Sequence, residues 1–407
     1  MERSTPSSGI SPWLFRYSVL VAVATLGLVC IGGLVTSKGV GMAVPDWPTS
    51  FGYGMFALPI SMWMTGGVFH EHTHRVWASG VGLLVVFLTR WTAGHASRRS
   101  LAWIGLAEVL GGLALMGVNP LWKGEAHFLL GIGGVVLAAA AIPVRNGPAP
   151  ALPVRLAWAA FVLVQVQGSL GGLRVVLDSW AIGGTTGGVV FGMIHGCLGQ
   201  VFLALVACLA LSLSPWLPLW GRIRCEVPGA RWVFLGTALV FGQLLVGLWM
   251  RHQHAGLAIP DLPLAYGQWW PRTDPESLVR YASRREGVDV ITALQVHMHM
   301  VHRLQAILAF GTIVMAFRAS RHHPAGHPLR RLGTVWMILV GAQFGLGIFT
   351  VLTDRAADVA TAHVAVGSLT LVVGCWSCWA VLAHRIASRR VEPVVPAPSL
   401  PQTLPVR

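Results

Sequence analysis

The feature that most limits this chain is a series of long apolar runs with few or no charges, each long enough to cross a bilayer core of roughly 30 Å. The runs read as about ten helices, at roughly 14–36, 72–93, 101–118, 125–144, 154–177, 186–213, 231–251, 294–317, 331–353 and 360–384. The first continues too far to be a signal-peptide core and is read as a retained span. Composition agrees: charged residues make up 11%, mean hydropathy is +0.65, and the 48 glycines suit close helix packing in lipid. The fold class expected is an all-α integral membrane protein, a helical bundle.

The net charge of +14 does not point to nucleic acid, because the arginines cluster in short segments between apolar runs. Arg90, Arg98 and Arg99 follow the second run, Arg145 and Arg155 flank the fourth and fifth, and Arg222, Arg224 and Arg231 follow the sixth. Arg318, Arg321, Arg330 and Arg331 follow the eighth, and Arg385, Arg389 and Arg390 the tenth. Every even-numbered run thus ends in a basic loop. The positive-inside rule then predicts a multi-pass protein of the cell membrane, with both termini cytoplasmic and large outer loops at 37–71 and 252–293. Membrane lipid is the expected surrounding partner. No cysteine pair falls in an outer loop, so no structural disulfide is expected, and Cys375-Trp-Ser-Cys378 reads as helix packing. Cys225 is placed in a cytoplasmic loop, and the Pro-rich tail 391–407 reads as disordered.

The chain also repeats itself. Gly41-Met-Ala-Val-Pro-Asp46-Trp-Pro48 in the first outer loop matches Gly256-Leu-Ala-Ile-Pro-Asp261-Leu-Pro263 in the second, in the same order and spacing. Phe51-Gly52 and Tyr266-Gly267 continue the match at the same offset. His74-Arg75 and His302-Arg303 follow, then Leu170-Gly171-Gly-Leu-Arg174 against Leu346-Gly347-Ile-Phe-Thr350. His195 and His363 complete it. The later offsets are shorter than the first because the first half holds an extra stretch. The expected organisation is an N-terminal half-bundle at 1–213, with two extra helices at about 97–145, and a C-terminal half-bundle at 214–390. Each half would be a four-helix unit related to the other by pseudo-symmetry.

His74, His195, His302 and His363 occupy matched positions inside these helices. Ionisable groups in lipid are costly and usually face the bundle interior. Packing or interhelical hydrogen bonding would serve a single histidine, but packing does not require the same residue twice. Two facing helices with one histidine each suit axial ligation of haem iron by neutral imidazole. His74 with His195 would form one site and His302 with His363 the other. Glu71 precedes His74 by three residues and shares its helix face, where it would handle a proton or stabilise charge. The alternative is a carboxylate favoured by a helix N-terminus. The matching position in the second half is His299. Arg75, Arg303 and Arg174 have two readings, pairing with haem propionates or snorkelling to the interface. Asp46 and Asp261 stand in turn-forming Pro-Asp-x-Pro segments. His252, His254, His322, His323 and His384 read as interfacial polar residues. A rival reading is zinc. His70-Glu71-His72-Thr73-His74 matches H-E-x-x-H, with His70 and His74 as ligands, but no third ligand is evident and zinc gives no reason for the repeat.

Together, Glu71–Arg75, the Gly-Gly-Leu-Arg174 segment, the paired Pro-Asp-x-Pro loops, His299, His302 and His363 resemble the haem A synthase family. The likeness covers roughly 14–385 apart from the extra stretch. It implies oxidation of a methyl group of haem O to a formyl group through successive hydroxylations. It also implies that His74 and His195 hold substrate haem O, with Glu71 as the catalytic residue assisting at the reacting methyl or stabilising charge there, and that His302 and His363 hold a resident haem b. Haem O synthase and terminal oxidase assembly would be natural partners, and a homo-oligomer is compatible with the pattern. Two features depart from the family. Many bacterial members carry a cysteine pair in the first outer loop, and residues 37–71 hold none. Members usually have eight helices, and the added pair here makes His127 a competitor of His195. A di-haem electron-transfer protein without haem-modifying activity is the alternative that shares the same histidine pairs.

Overall fold

A computed structural model describes residues 10–389, apart from 119–121, 184, 221–226, 228 and 285–289; of 218, 219 and 385–389 it describes the backbone only. The readings made for Arg222, Arg224, Cys225, Arg390 and the tail 391–407, and for the side chains of Arg385 and Arg389, lie outside the described residues.

The chain is an all-α integral membrane protein. Its helices are α1 (Pro12–Ser37), α2 (Ile60–Trp63), α3 (Gly66–Thr92), α4 (Ser97–Met116), α5 (Lys123–Ala141), α6 (Ala151–Val176), α7 (Gly187–Ser212) and α8 (Leu217–Trp220). They continue as α9 (Ala230–His252), α10 (Pro275–Ser283), α11 (Ala293–Ser320), α12 (Pro328–Leu352) and α13 (Ala357–Arg389). A short antiparallel pair, β1 (Ala181–Ile182) and β2 (Thr185–Thr186), turns the chain between α6 and α7. Some helix starts are capped by side chains. Ser11 and Thr186 cap α1 and α7, and Thr292 with Gln295 forms a full capping box on α11.

Among the described residues, nine helices are long and apolar enough to cross a membrane. The ten expected runs all appear as long helices, but α3 is missing from those nine. Its first three turns hold His70, Glu71, His72, His74 and Arg75, which dilute its hydropathy. It also begins at Gly66, earlier than the apolar pattern indicates. Glu71 therefore lies inside the helix rather than at its N-terminus. The polar run carries no apolar signal, yet it folds as helix because its charges are satisfied by the loop before it.

Two rings of four helices make up the bundle. In the first, α1 packs on α3, α3 on α6, α6 on α7 and α7 back on α1. In the second, α9 packs on α11, α11 on α12, α12 on α13 and α13 back on α9. Exchanging α1, α3, α6 and α7 for α9, α11, α12 and α13 reproduces the same closure. Between the rings, α1 meets α13, α9 meets α7, and α7 meets α13. The exchange maps the first contact onto the second and the third onto itself, as a pseudo-two-fold axis through the α7–α13 seam requires. Each ring has its own apolar core, centred on Val85, Leu88, Phe161 and Leu209 in one and on Val240, Ile313 and Trp336 in the other.

The extra helices α4 and α5 pack tightly on each other and sit beside α3 and α6, outside the first ring. Their backbones touch at Gly105 and Gly133. A Cβ on either would stand 2.9 Å from the other's carbonyl oxygen, the close approach that small residues permit in lipid.

Candidate haem-binding sites

Both outer loops are built the same way. In the first, Asp46 accepts hydrogen bonds from the Thr49 hydroxyl (2.5 Å) and from the N–H groups of Phe51 (2.6 Å) and Gly52 (2.8 Å). In the second, Asp261 accepts from Tyr266 N–H (2.8 Å) and Gly267 N–H (3.1 Å). The matched residues Phe51 and Tyr266 both take φ of 53°, followed by Gly52 and Gly267 at 78° and 76°. Asp46 lies outside the spans. Burial raises its pKa, but the Thr49, Gly52 and Phe51 donors outweigh that, so the carboxyl ends below its ordinary value.

Arg75 and Arg303 hold these loops to their helices. Arg75 donates to the carbonyls of Asp46 (2.5 Å), Thr49 (3.1 Å) and Val44 (2.8 Å). Arg303 donates to those of Asp261 (2.9 Å), Leu264 (3.0 Å) and Ile259 (3.3 Å), the three matched positions of the second loop. Both guanidiniums are thus occupied by loop carbonyls, a third arrangement beside the propionate and snorkelling readings. Among the described residues, Arg174 has no hydrogen-bond or ion-pair partner.

Glu71 is where the halves part. Its Oε1 accepts from Arg75 Nη2 (2.7 Å) and its Oε2 from the Val44 N–H (2.8 Å), and it is buried. One carboxylate therefore ties α3, its arginine and the loop together. His299, also buried, stands at the matched position in the second half.

The four histidines lie on opposed helices of their rings, His74 on α3 facing α7, and His195 on α7. His74 lies within electrostatic reach of His195. His302 on α11 and His363 on α13 repeat this. Each ring rests against a glycine of a flanking helix. A Cβ added at Gly32 would meet His74 Cε1 at 2.9 Å, and one at its match Gly247 would meet His302 Cε1 at 3.1 Å. Gly171 and Gly347, the next matched pair, face His195 Cε1 and His363 Cε1 at 3.5 and 3.2 Å. All four imidazoles lie within the helix rings and keep some accessible surface. The buried Nδ1 atoms of His74, His195 and His363 have no hydrogen-bond partner among the described residues. Two opposed imidazoles in an apolar four-helix ring, each seated on a glycine, fit the axial positions of a haem.

Glutamines complete the sites, and the sequence reading missed them. Gln167 donates to the His195 carbonyl (3.1 Å), while the Gln343 amide lies 3.3 Å from His363 Nε2. Gln243 donates to the His302 carbonyl at 2.9 Å and lies 3.1 Å from its Nδ1. Gln167 and Gln343 keep the offset of Leu170 and Leu346, so extending that match toward the N-terminus would have found them.

His127 does not compete with His195. It is exposed, and its Nδ1 lies 2.7 Å from the Lys123 carbonyl in its own helix. The zinc arrangement also fails on geometry. Among the described residues no three potential ligands converge, and both Glu71 oxygens are engaged by N–H donors.

The chain is similar to curated proteins along most of its length. A curated "Heme A synthase" of Caulobacter sp. (strain K31) is 25% identical over 390 residues, covering 93% of this chain and 98% of that protein. One of Hyphomonas neptunium is 24% identical over 400 residues, covering 92% and 95%. A third, of Erythrobacter litoralis, is 28% identical over 192 residues, covering 46% and 52%. The profile of the COX15-CtaA family, described as cytochrome oxidase assembly protein, matches residues 127–374, more than half of the chain. The chain therefore belongs to the COX15-CtaA family of cytochrome oxidase assembly proteins.

Proposed function

We propose that this protein makes haem A by oxidising a methyl group of haem O to a formyl group, with haem O bound as substrate in the first ring. The observation that carries this reading is the pair of matched histidine sites, of which only the first has a carboxylate beside it. The relatives named as haem A synthases along nearly their full length support it. His74 and His195 would hold the substrate iron, with Gly32 and Gly171 setting the ring positions. His302 and His363 would hold a resident haem b, which supplies one-electron chemistry when bound.

The chain's own residues then divide the work. Arg75, through three carbonyls, and Glu71, through the Val44 N–H, fix the loop 44–49 to the helix that carries His74. That loop limits water at the outer end of the first ring and orients the bound substrate. Glu71 is the carboxylate nearest the first histidine pair in sequence, and its field reaches Arg174. Both oxygens accept from N–H donors, which holds the carboxylate in place beside the site, where it would stabilise positive charge developing on the substrate.

The basic loops support a location in the cell membrane with both termini in the cytoplasm. Its product would pass to a terminal oxidase under assembly, and haem O would arrive from a haem O synthase. A di-haem electron-transfer protein would need no asymmetry at Glu71 and His299. The deciding experiment is an optical spectrum of the purified protein with chromatographic identification of extracted haems. Haem B together with haem O or haem A supports synthesis. Two equivalents of haem B alone, with no haem A formed in cells supplied with haem O, would sink it.

A further inference from the structure

The two rings differ in one more respect, at the seam between them. Arg251 and His252 end α9, in the second half, but they reach into the first. Arg251 Nη2 donates to the Gly33 carbonyl (2.7 Å) and the Ser37 hydroxyl (2.5 Å) of α1. Gly33 directly follows Gly32, the seat of His74. His252 packs on Gly192 of α7, where an added Cβ would stand 3.0 Å from its Cε1. Arg174 packs on the same glycine, its Nε 3.4 Å from that position, and its guanidinium also lies against Gly41 of the loop. Gly192 precedes His195 by just under one helical turn, toward the α7 N-terminus. Arg174, Arg251 and His252 therefore crown the first histidine pair on its loop side, and their fields overlap.

The same positions in the second ring are neutral. Thr36 and Ser37 hold the places in α1 that Arg251 and His252 hold in α9, and Thr350 holds that of Arg174. Besides the clamping Arg303, Arg355 approaches the second loop, its Cδ 3.8 Å from a Cβ added at Gly256, the residue matching Gly41. The acids that reach Arg174 electrostatically are Glu71 and Asp178, and neither forms an ion pair with it. Glu71 is held by Arg75 and Val44, and Asp178 packs against Gly188. Two arginines and an imidazole converge at the loop end of the first histidine pair, and among the described residues no carboxylate forms an ion pair with them. Such a group binds anions, and arginine matches carboxylate geometry best.

We propose that Arg174, Arg251 and His252 form a carboxylate-binding crown, contributed by both halves, that takes the propionate groups of the tetrapyrrole held between His74 and His195. The proposal rests on the haem reading of that pair. It makes the first site incomplete without the second half, and it gives the substrate a fixed orientation, with its carboxylates toward the outer loop. The second site, with hydroxyls at the matched positions, would discriminate less between free and esterified carboxylates.

The test is an absorbance titration of the full-length purified protein in phosphatidylcholine nanodiscs, with haem O and with its dimethyl ester. Wild type should bind the free acid at least about tenfold more tightly, the worth of one hydrogen bond to a charged group. Arg174→Gln should lose most of that preference by weakening the free acid alone. Arg251→Gln should act the same way, and Arg174→Lys should keep part of the preference. The haem b spectrum of the second ring reports whether each variant is folded. Equal affinity for acid and ester in wild type, or an unchanged preference in folded Arg174→Gln, overturns the proposal. If phosphatidylglycerol in the disc abolishes the preference, the crown serves lipid phosphates and the proposal also falls. Should wild type bind neither form, the haem reading of the first pair fails, and that outcome is distinct because preference is then never observed.

Discussion

The two rings of this protein are the same device with one face changed. Both seat opposed histidines on glycines, clamp a Pro-Asp-x-Pro loop with an arginine, and place a glutamine beside each second-helix histidine. They differ at Glu71 against His299, at Arg251 and His252 ending α9 against the hydroxyls of Thr36 and Ser37 ending α1, and at Trp47 against Leu262. Those three changes fall on the loop side of the first ring, while the second ring has Gln243 beside His302 where the first has Leu28. On the proposed reading the shared features would hold the macrocycle, and the altered ones would act on its surroundings. A duplicated fold can thus keep one copy as a holder while the other acquires reactivity.

The largest expected effects test whether the rings are independent holders. His302→Ala and His363→Ala should each remove the haem b absorbance and abolish haem A formation. His74→Ala and His195→Ala should abolish haem A formation while retaining haem b. Haem content by pyridine haemochrome and product by chromatography check this. Loss of haem b from the His74→Ala protein would show that the rings are not separable.

The glycine seats offer a smaller and more selective perturbation. Gly32→Val drives a side chain into the His74 ring, and Gly247→Val does so at His302. Overpacking of this kind costs about 1–3 kcal/mol. Gly247→Val should lower haem b occupancy several-fold with the first site unaffected, and Gly32→Val should raise the apparent KM for haem O with haem b unchanged. An effect of either variant on both sites would remove the seat assignment.

Much of this was legible in the sequence because the repeat carried it. The apolar runs gave the helices, and the matched offsets gave the histidine pairs without any contact information. What escaped has physical reasons. The start of α3 was hidden because Glu71 and its neighbours carry no apolar period, and their partners lie in a loop. Gly32 and Gly247 were invisible as seats, since glycine in a membrane helix reads as packing until its neighbour is known. The role of Arg75 was missed because its partners are backbone carbonyls, which any sequence offers. Arg251 and His252 looked interfacial because nothing in α9 announces that its end leans on α1. The docking of the extra hairpin was equally hidden. Trp47 packs between Phe128 of α5, at 5.1 Å between ring centroids, and Gly172 of α6.

Glu71→Gln probes the asymmetry directly. The amide keeps one acceptor oxygen but turns a donor toward either Arg75 or the Val44 N–H, which leaves a buried group unmatched at about 1–3 kcal/mol. Haem b should remain, haem O binding should fall only modestly, and haem A formation should drop by about tenfold or more. The reciprocal change, His299→Glu, should leave haem A formation at the first site intact. Unchanged product from Glu71→Gln would assign the carboxylate to loop anchoring alone.

The smallest effect concerns the aspartates of the two loops. Asp46 has one acceptor interaction that Asp261 lacks, because Thr49 supplies a hydroxyl where the second loop has Leu264. Its carboxyl is held below the ordinary range despite burial, by Thr49 and the Gly52 and Phe51 N–H groups. A carboxyl with a depressed folded pKa contributes stability above its unfolded pKa of about 3.9, and that contribution is lost as pH falls through the folded value. Residues 44–53 should therefore stay protected from hydrogen exchange at neutral pH and loosen only below about pH 4. Asp46→Asn should loosen them at neutral pH and remove the acid step. Asp261→Asn should loosen 259–268 to a lesser degree, since fewer bonds are lost there. Equal loosening in both variants, measured by exchange mass spectrometry, would mean that the Thr49 hydroxyl adds nothing and that the two loops are held equally.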